Sequence, residues 1–320
     1  MVNSKLVFVA ISTLLLFGTA EAQDQVEQPW WPHPIWGSDD QVGASNWITA
    51  EKILSSLSVV ETGKLYELGF PYENGMALVG SRSYELVLPE TSGPSEDGLL
   101  SHGEKLTTNI GQIGTQFDGL GHVGRRVTLE GGEQVDAFYN GFTVDEVYAP
   151  DGLQKLGIEN VKPIITRGIL IDIAGYKDMK TLPEGYVVTM ADVRNALTRQ
   201  DVDEGKITPG DALLFNFGWW RKVGDHERYV NNLSWAGIDG EVAQWVLSKK
   251  ASMFGSDASG DPPDQRHVHF ELLMKNGIYN LEFMNFESLL EDKVYEFLFV
   301  FTPIAFKGAT GSPGRPIAIR

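Results

Sequence analysis

Asn109-Ile-Gly-Gln-Ile-Gly-Thr-Gln-Phe-Asp-Gly-Leu-Gly-His-Val-Gly-Arg-Arg126 is the stretch around which the rest of the chain is organised. It carries Gln112, Gln116, Asp118 and His122, separated by glycines and apolar residues. The glycines disfavour a helix interior and let the backbone approach a ligand closely. Gln116 and Asp118 are two positions apart, so on an extended segment they point to the same side. The pattern predicts a strand end that runs into a loop and presents a carboxylate, an imidazole and two amide oxygens to one point.

A structural interpretation of the same stretch stays open. Turns use Asp and Gly for purely structural reasons. The stretch would then be a glycine-rich turn whose buried Asp118 and His122 bond to the backbone.

A second group of candidate residues lies further along the chain. His267 and His269 open a predicted helix, and Glu282 interrupts an otherwise apolar predicted strand. A buried Glu is costly unless it is paired, protonated or metal-bound. Asp118, His269 and Glu282 with an amide oxygen would form a mixed nitrogen and oxygen site for a divalent ion such as Zn²⁺ or Mn²⁺. The structural alternative for the two histidines is hydrogen bonding to the acidic loop that precedes them.

Length and composition limit the classes of protein to which the chain can belong. With 320 residues, 42% hydrophobic and 22% charged, it suits one large α/β domain. The net charge of −17 and the absence of a Lys/Arg block argue against nucleic acid and anionic membrane as partners. The chain has no cysteine, which excludes thiolate metal sites, thiol nucleophiles and disulfides.

The first 22 residues have the pattern of a secretory signal. Lys5 is followed by the apolar run Leu6–Phe17, and Ala20-Glu21-Ala22 is a small-residue cleavage pattern. We therefore expect a signal peptide over residues 1–22, a domain over 23–320, and a secreted or periplasmic protein. The mature chain has one glycosylation sequon, at Asn232, which has meaning only in a eukaryote.

The order of predicted elements alternates between helices and strands. Helices are predicted over Ala50–Val60 and from Thr189, Asp239 and His267, and residues 72–105 are predicted as a long loop that could lie over a site. The predicted strands are Lys64–Phe70, Arg167–Ile173, Ala212–Gly218, Ile278–Met284 and Phe297–Phe306. The sequence shows neither an internal repeat nor a domain linker.

An N-terminal arm over residues 23–48 holds half of the chain's tryptophans, including Trp36, without helical or alternating period. We expect a structural clasp from it. In the alternative interpretation, Trp36 forms a pocket wall against a flat substrate.

The central stretch resembles the hallmark of the cyclase / kynurenine formamidase-like family of metal-dependent hydrolases, which includes arylformamidases and isatin hydrolases. That hallmark is H-x-G-T-H-x-D-x-P-x-H, and Gln112-Ile-Gly-Thr-Gln-Phe-Asp-Gly-Leu-Gly-His122 has the same spacing. The resemblance extends over the mature chain. The other matching segments are Trp36-Gly-Ser-Asp-Asp-Gln-Val-Gly43, Arg167-Gly-Ile-Leu-Ile-Asp172, Gly210-Asp-Ala-Leu-Leu-Phe-Asn-Phe-Gly-Trp219, His269 to Glu282, and Lys307-Gly-Ala-Thr-Gly-Ser-Pro-Gly-Arg-Pro316.

The resemblance implies a swivelling β/β/α fold, a single β-rich domain with surrounding helices and one divalent ion. It implies that Asp118 and His269 are metal ligands, that His122 is the catalytic imidazole, and that Glu282 is a ligand or an acid/base carboxylate. We add Gln116 as a ligand. The residues expected to contact substrate are Gln112, Trp36 and His267.

Three positions depart from the family pattern. Gln112 and Gln116 replace two histidines, and Leu120 replaces the proline. Gln116 resembles a longer-chain branch of the family with a G-T-Q-x-D-G pattern. An amide oxygen is a weaker donor to zinc than imidazole and favours a harder ion such as Mn²⁺.

The functional hypothesis is an exported metal-dependent hydrolase that opens an amide, lactam or ester, with an aromatic amide or lactam as its small-molecule substrate. His122 would act as acid/base with an apparent pKa of about 6–7. Two rivals stay open: a cyclase or dehydratase that uses the same residues, and a ligand-binding protein without catalysis. The sequence is compatible with a homodimer.

Overall fold

The computed structural model describes residues 28–225, 229 and 234–320. The predicted signal segment, residues 1–22, and the sequon at Asn232 lie outside the described residues. Among the described residues, no helix combines the length and apolarity that a membrane span requires.

Fifteen strands are present in the described part of the chain, nine of them in one sheet. In chain order they are β1 (Leu65–Glu67), β2 (Tyr84–Val87), β3 (Lys105–Thr108), β4 (Gln116–Asp118), β5 (Arg125–Thr128), β6 (Gln134–Ala137), β7 (Ile164–Asp172), β8 (Val187–Val188), β9 (Ala212–Asn216), β10 (Gly237–Ile238), β11 (Met253–Ser256), β12 (Tyr279–Glu282), β13 (Glu296–Phe301), β14 (Gly311–Pro313) and β15 (Ile317–Ile319).

The main sheet has the strand order β1-β15-β13-β7-β9-β11-β12-β4-β14. Its centre, β7-β9-β11-β12, is parallel, and all flanking pairs are antiparallel. Parallel strands need coverage on both faces, which explains why β9 is buried at every position. The remaining strands form the small pairs β2-β3, β5-β6 and β8-β10.

Helices surround this sheet. They are α1 (Ala50–Ser56), α2 (Val144–Val147), α3 (Ile173–Tyr176), α4 (Met190–Arg199), α5 (Gly240–Ser248), α6 (Glu287–Glu291) and a π-helix over His267–Met274. Short 3₁₀ turns occupy Gly43–Trp47, Leu57–Val59, Tyr139–Gly141, Ile158–Asn160, Glu204–Lys206 and Trp219–Lys222. The predicted starts of two helices are confirmed: Thr189 and Asp192 form a capping box on α4, and Asp239 accepts from the Val242 N–H on α5.

Two hydrophobic cores lie on opposite faces of the sheet. Along β9, Leu213 and Phe215 belong to the core that includes α4 and α5, whereas Ala212 and Leu214 belong to the other. This alternation follows from the two-residue period of a strand. The mixed α/β class predicted from the sequence is confirmed.

Several predicted elements are shorter in the structure than the sequence suggested. The predicted helix Ala50–Val60 ends as α1 at Ser56 and continues as a 3₁₀ turn. The predicted strand Phe297–Phe306 ends at Phe301, where β13 loses its partner β7. Apolar residues beyond a strand end look the same in sequence as those within it, because hydrophobicity does not reveal where pairing stops.

The prediction of a long loop over residues 72–105 was wrong in part, because this segment contains β2, which pairs with β3 at the end of the segment. Its four residues are mostly exposed, so the segment lacks the buried alternation that identifies a strand in sequence. Strand pairing between segments about twenty residues apart is a long-range contact, which local sequence patterns do not reveal.

Candidate active site

Two neighbouring strands, β4 and β12, place the polar residues of the site. They pair antiparallel with Asp118 opposite Asn280 and Glu282 opposite Gln116. Side chains alternate across a strand, so these four share one face, while Phe117 and the residue opposite it turn to the hydrophobic core. The predicted shared side of Gln116 and Asp118 follows from this register.

Asp118 is fully buried and accepts hydrogen bonds from side-chain amides. Gln112 Nε2 lies 3.2 Å from Asp118 Oδ1, and Asn280 Nδ2 lies 3.2 Å from Asp118 Oδ2. The two histidines lie on either side of the carboxylate. His122 Nε2 is 3.9 Å from Oδ1, and His269 Nε2 is 3.7 Å from Oδ2. These spacings exceed a hydrogen bond, so the imidazoles face Asp118 across a gap.

His269 lies in the first turn of the π-helix, and a hydrogen bond at its Nδ1 fixes the ring. Its Nδ1 is 2.6 Å from Asp261 Oδ2, and Asp261 also accepts from the backbone N–H groups of Val268 and His269. Its Nε2 therefore faces Asp118 and also Glu282, whose Oε1 is 3.5 Å away. The structural alternative from the sequence, a bond to the preceding acidic loop, holds for Nδ1 and leaves Nε2 free for the site.

Glu282 is buried in a network of amide groups. Gln116 Nε2 is 2.9 Å from Oε2, and Asn280 Nδ2 is 3.0 Å from Oε1. Burial, followed by the negative charge of Asp118, raises the pKa of Glu282 well above its ordinary value, while the charges of His269 and Arg82 act in the opposite direction. A further cation beside this carboxyl would act in the same direction as His269 and Arg82 and favour its ionised form.

The two imidazoles have opposite pKa shifts. Burial lowers the pKa of His122 below its ordinary value, although the charge of Asp118 acts against this. For His269, burial acts to lower the pKa, but the bond to Asp261 and the charges of Glu282 and Asp118 outweigh it and raise the pKa to about 9. At neutral pH His122 is neutral. His269 then carries the one positive charge among Asp118, His122, His269 and Glu282.

The donor set fits a divalent ion. Ligand atoms of Asp118, His122 and His269 all lie within 4.8 Å of one another. The buried Oε1 of Gln116 has no hydrogen-bond partner among the described residues, and a buried polar atom of this kind needs one. Two imidazoles, a carboxylate and an amide oxygen are suitable ligands for Zn²⁺ or Mn²⁺.

A cavity of about 350 Å³ opens onto this group. Trp235 and Phe283 form an aromatic side of it, with their rings 5.6 Å apart in an edge-to-face arrangement. The polar residues that line it include Gln112, Gln116, His122, His269, Glu282, Asp261 and Arg82. Its size and mixed lining are typical of a small-molecule site.

Two residues that the sequence assigned to substrate contact are not among those that line this cavity. Trp36 stacks on His33 with ring centroids 4.2 Å apart and packs against the core that contains α4 and α5. His267 Nε2 is 2.9 Å from Gln265 Oε1. The packing of Trp36 is what a structural clasp requires, and the aromatic side chains that line the cavity include Trp235 and Phe283. Gln112 does line the cavity.

Three residues of the site are not among those predicted from the sequence. Asn280 lies two positions before Glu282, so the strand period could have revealed it. Asp261 lies in the acidic loop before His269, where its pairing depends on how the loop folds. Arg82 lies in the predicted loop over residues 72–105 and carried no signal in the sequence.

A family model and a solved structure that are similar to this chain both carry the description of a cyclase. The model of the family described as "Putative cyclase" matches residues 25–260. A solved structure described as a novel cyclase is 30% identical, with a TM-score of 0.78 over 89% of this chain and 96% of that one. No curated protein matches the chain.

Isatin hydrolases share the fold at lower identity. Isatin hydrolase A from Ralstonia solanacearum is 16% identical, with a TM-score of 0.56 over 85% of this chain and 98% of its own. An isatin hydrolase bound to the product analogue thioisatinate is 17% identical, with a TM-score of 0.54 over 85% of this chain and 98% of its own.

Proposed function

Since the chain belongs to the cyclase family, we propose that it is a metal-dependent hydrolase that opens an amide, lactam or ester. The observation that carries the proposal is the convergence of Asp118, His122 and His269 beside the buried Glu282. The buried carboxyl groups of Asp118, Asp261 and Glu282 each lie beside an imidazole, and a divalent cation would offset the cost of burying them in charged form.

In this proposal Asp118 and His269 would hold the ion, with the unpartnered Oε1 of Gln116 as an additional oxygen ligand. The ion would take the place of the proton on His269 Nε2, because a ligand imidazole must be neutral. Asp261 orients His269 by bonding Nδ1, which directs Nε2 toward the ion, as outer-shell carboxylates do at metal sites. A bound divalent ion polarises a carbonyl oxygen and lowers the pKa of a water molecule.

His122 takes a proton from the attacking water and returns it to the leaving group. It suits this role because its lowered pKa keeps Nε2 free of a proton at neutral pH. Glu282, whose Oε1 lies 3.5 Å from His269 Nε2, is a second group that can hold or donate a proton. The geometry also allows His122 as a third metal ligand. The two roles predict different effects of a His122 substitution on metal content.

The proposed substrate is a flat aromatic amide or lactam. Trp235 and Phe283 offer an apolar surface beside the polar cluster, and proteins of the same fold are described as isatin hydrolases. We further propose export to the periplasm or exterior, because residues 1–22 have a signal pattern. Protein from the native host should begin near Gln23, and an intact N-terminus would reject export.

The direct experiment is a screen of aryl formamides, cyclic amides and aryl esters with the purified protein, before and after chelation. We expect turnover of at least one compound, a product mass higher by one water, and loss of turnover after chelation that added Mn²⁺ or Zn²⁺ restores. Product that loses water instead would favour the cyclase or dehydratase. No turnover with a fully bound ion would favour a ligand-binding protein.

A further inference from the structure

Arg82 is a cation at the cavity that has no function in the scheme above. It is half-buried and lines the same cavity as His122 and Glu282. Within the described parts of the chain, its guanidinium forms neither a hydrogen bond nor an ion pair. A guanidinium presents five N–H donors in a planar fork, so an unmatched one facing a cavity is a site for a planar anion.

The backbone around Arg82 is held in place. The Arg82 N–H bonds to the Val79 carbonyl at 3.4 Å and closes a turn. The next residue, Ser83, is clamped to Asn109: its N–H is 2.8 Å from Asn109 Oδ1, and its carbonyl accepts from the Asn109 N–H at 3.1 Å. Asn109 begins the stretch that carries the site. Arg82 is thus attached to the central stretch itself.

None of the cavity's carboxyl groups forms a hydrogen bond or ion pair with Arg82 among the described residues. The charge of Arg82 acts to lower the pKa of Glu282, but the Glu282 oxygens accept from Gln116 and Asn280. Asp261 is paired with His269, and Asp118 accepts from two side-chain amides. The other arginine of the lining, Arg266, is exposed and donates to the Gln265 carbonyl. The guanidinium of Arg82 is therefore available to pair with an anion that enters the cavity from solvent.

We propose that Arg82 binds a carboxylate of the substrate, so that the substrate is an aromatic amide, lactam or ester with a separate anionic group. The inference rests on the proposed function and narrows its substrate class. Trp235 and Phe283 contact the ring while the guanidinium forms a bidentate pair with the carboxylate.

Binding of benzoate and of its neutral isostere benzamide tests the proposal independently of turnover. Titration calorimetry should show benzoate binding at least about tenfold tighter than benzamide, as expected for one charge-assisted pair. Arg82→Gln should remove this preference, Arg82→Lys should keep part of it, and the melting temperature should not change.

Arg266→Gln is the matched control, because it removes the same charge from the same cavity and should retain the benzoate preference. The measurement is repeated with EDTA, since a carboxylate could bind a metal ion directly. Equal affinity for the two probes, a preference that survives Arg82→Gln, or equal loss in both arginine variants would overturn the proposal. If the preference follows Arg82 but no compound is hydrolysed, the proposed function fails and the anion site stands.

Discussion

His122 can be either a general base or a metal ligand, because its Nε2 lies 3.9 Å from Asp118 and its side chain also faces the cavity. A general base must cycle a proton, whereas a ligand must stay bound. We expect His122→Ala to lower kcat by roughly 10²–10⁴ while metal content stays nearly unchanged. Parallel measurement of kcat and of metal by elemental analysis checks this. Loss of the ion with the activity would make His122 a ligand and Glu282 the candidate base.

The pH dependence of kcat/KM is a second test of the role of His122. Burial lowers the pKa of the imidazole from its ordinary 6.5, so the neutral, active form persists to lower pH. The acid limb of kcat/KM should therefore lie below pH 6.5, lower than the 6–7 expected from the sequence, and be absent in His122→Ala. A limb above pH 7 that persists in the variant would assign it to another group.

At the scale of elements, the site depends on the register of β4 between β12 and β14. Gly311 of β14 lies opposite Asp118. A Cβ at Gly311 would lie 2.7 Å from the carbonyl oxygens of Gly111 and Phe117 and 2.9 Å from Gln112 Nε2. Most of these atoms are backbone and cannot move aside cheaply. The glycine-rich segment near the C-terminus, which contains Gly311, is needed for this close approach.

Gly311→Ala should consequently destabilise the protein by about 1–3 kcal/mol, the usual cost of overpacking, and reduce activity, because β14 must move away from β4. Thermal melting and turnover measure the two effects. Gly103→Ala is the control, since a Cβ there meets nothing within 4 Å. Equal melting temperatures for the two variants would contradict the proposed role of the close approach.

The sequence could predict this much of the site because strand periodicity is local. Gln116 and Asp118 share a side through their spacing alone, and Glu282 was conspicuous as a carboxylate in an apolar strand. That β12 pairs with β4, and so brings Asn280 to Asp118, depends on contacts between residues more than 150 positions apart. The position of Arg82 likewise follows from the long-range clamp at Asn109.

The β2-β3 hairpin region exposes large apolar side chains on both of its faces, which together are called the hairpin surface. They are all at least 40% exposed and comprise Leu86, Val87, Leu88, Leu99, Leu100 and Leu106. Monomeric proteins seldom expose so many large apolar side chains close together in one segment. We therefore expect a homodimer that buries this hairpin surface.

Light scattering after size exclusion should give twice the chain mass for the wild type. Replacement of both Leu99 and Leu100 by Ser should shift the mass toward one chain. Leu54→Ser on α1, equally exposed but remote in sequence, is the control. A monomeric wild type would reject the homodimer.

Calorimetric titration of the chelated protein with Mn²⁺ and Zn²⁺ shows most directly whether Asp118 and His269 hold one divalent ion. We expect one ion per chain in the wild type and binding weakened at least tenfold in Asp118→Asn. The ion should raise the melting temperature only of a protein that binds it. Asp136→Asn, which removes an exposed carboxylate paired with Arg126, should bind like the wild type. Absence of stoichiometric binding, or equal affinity in Asp118→Asn and wild type, would show that these residues do not hold such an ion.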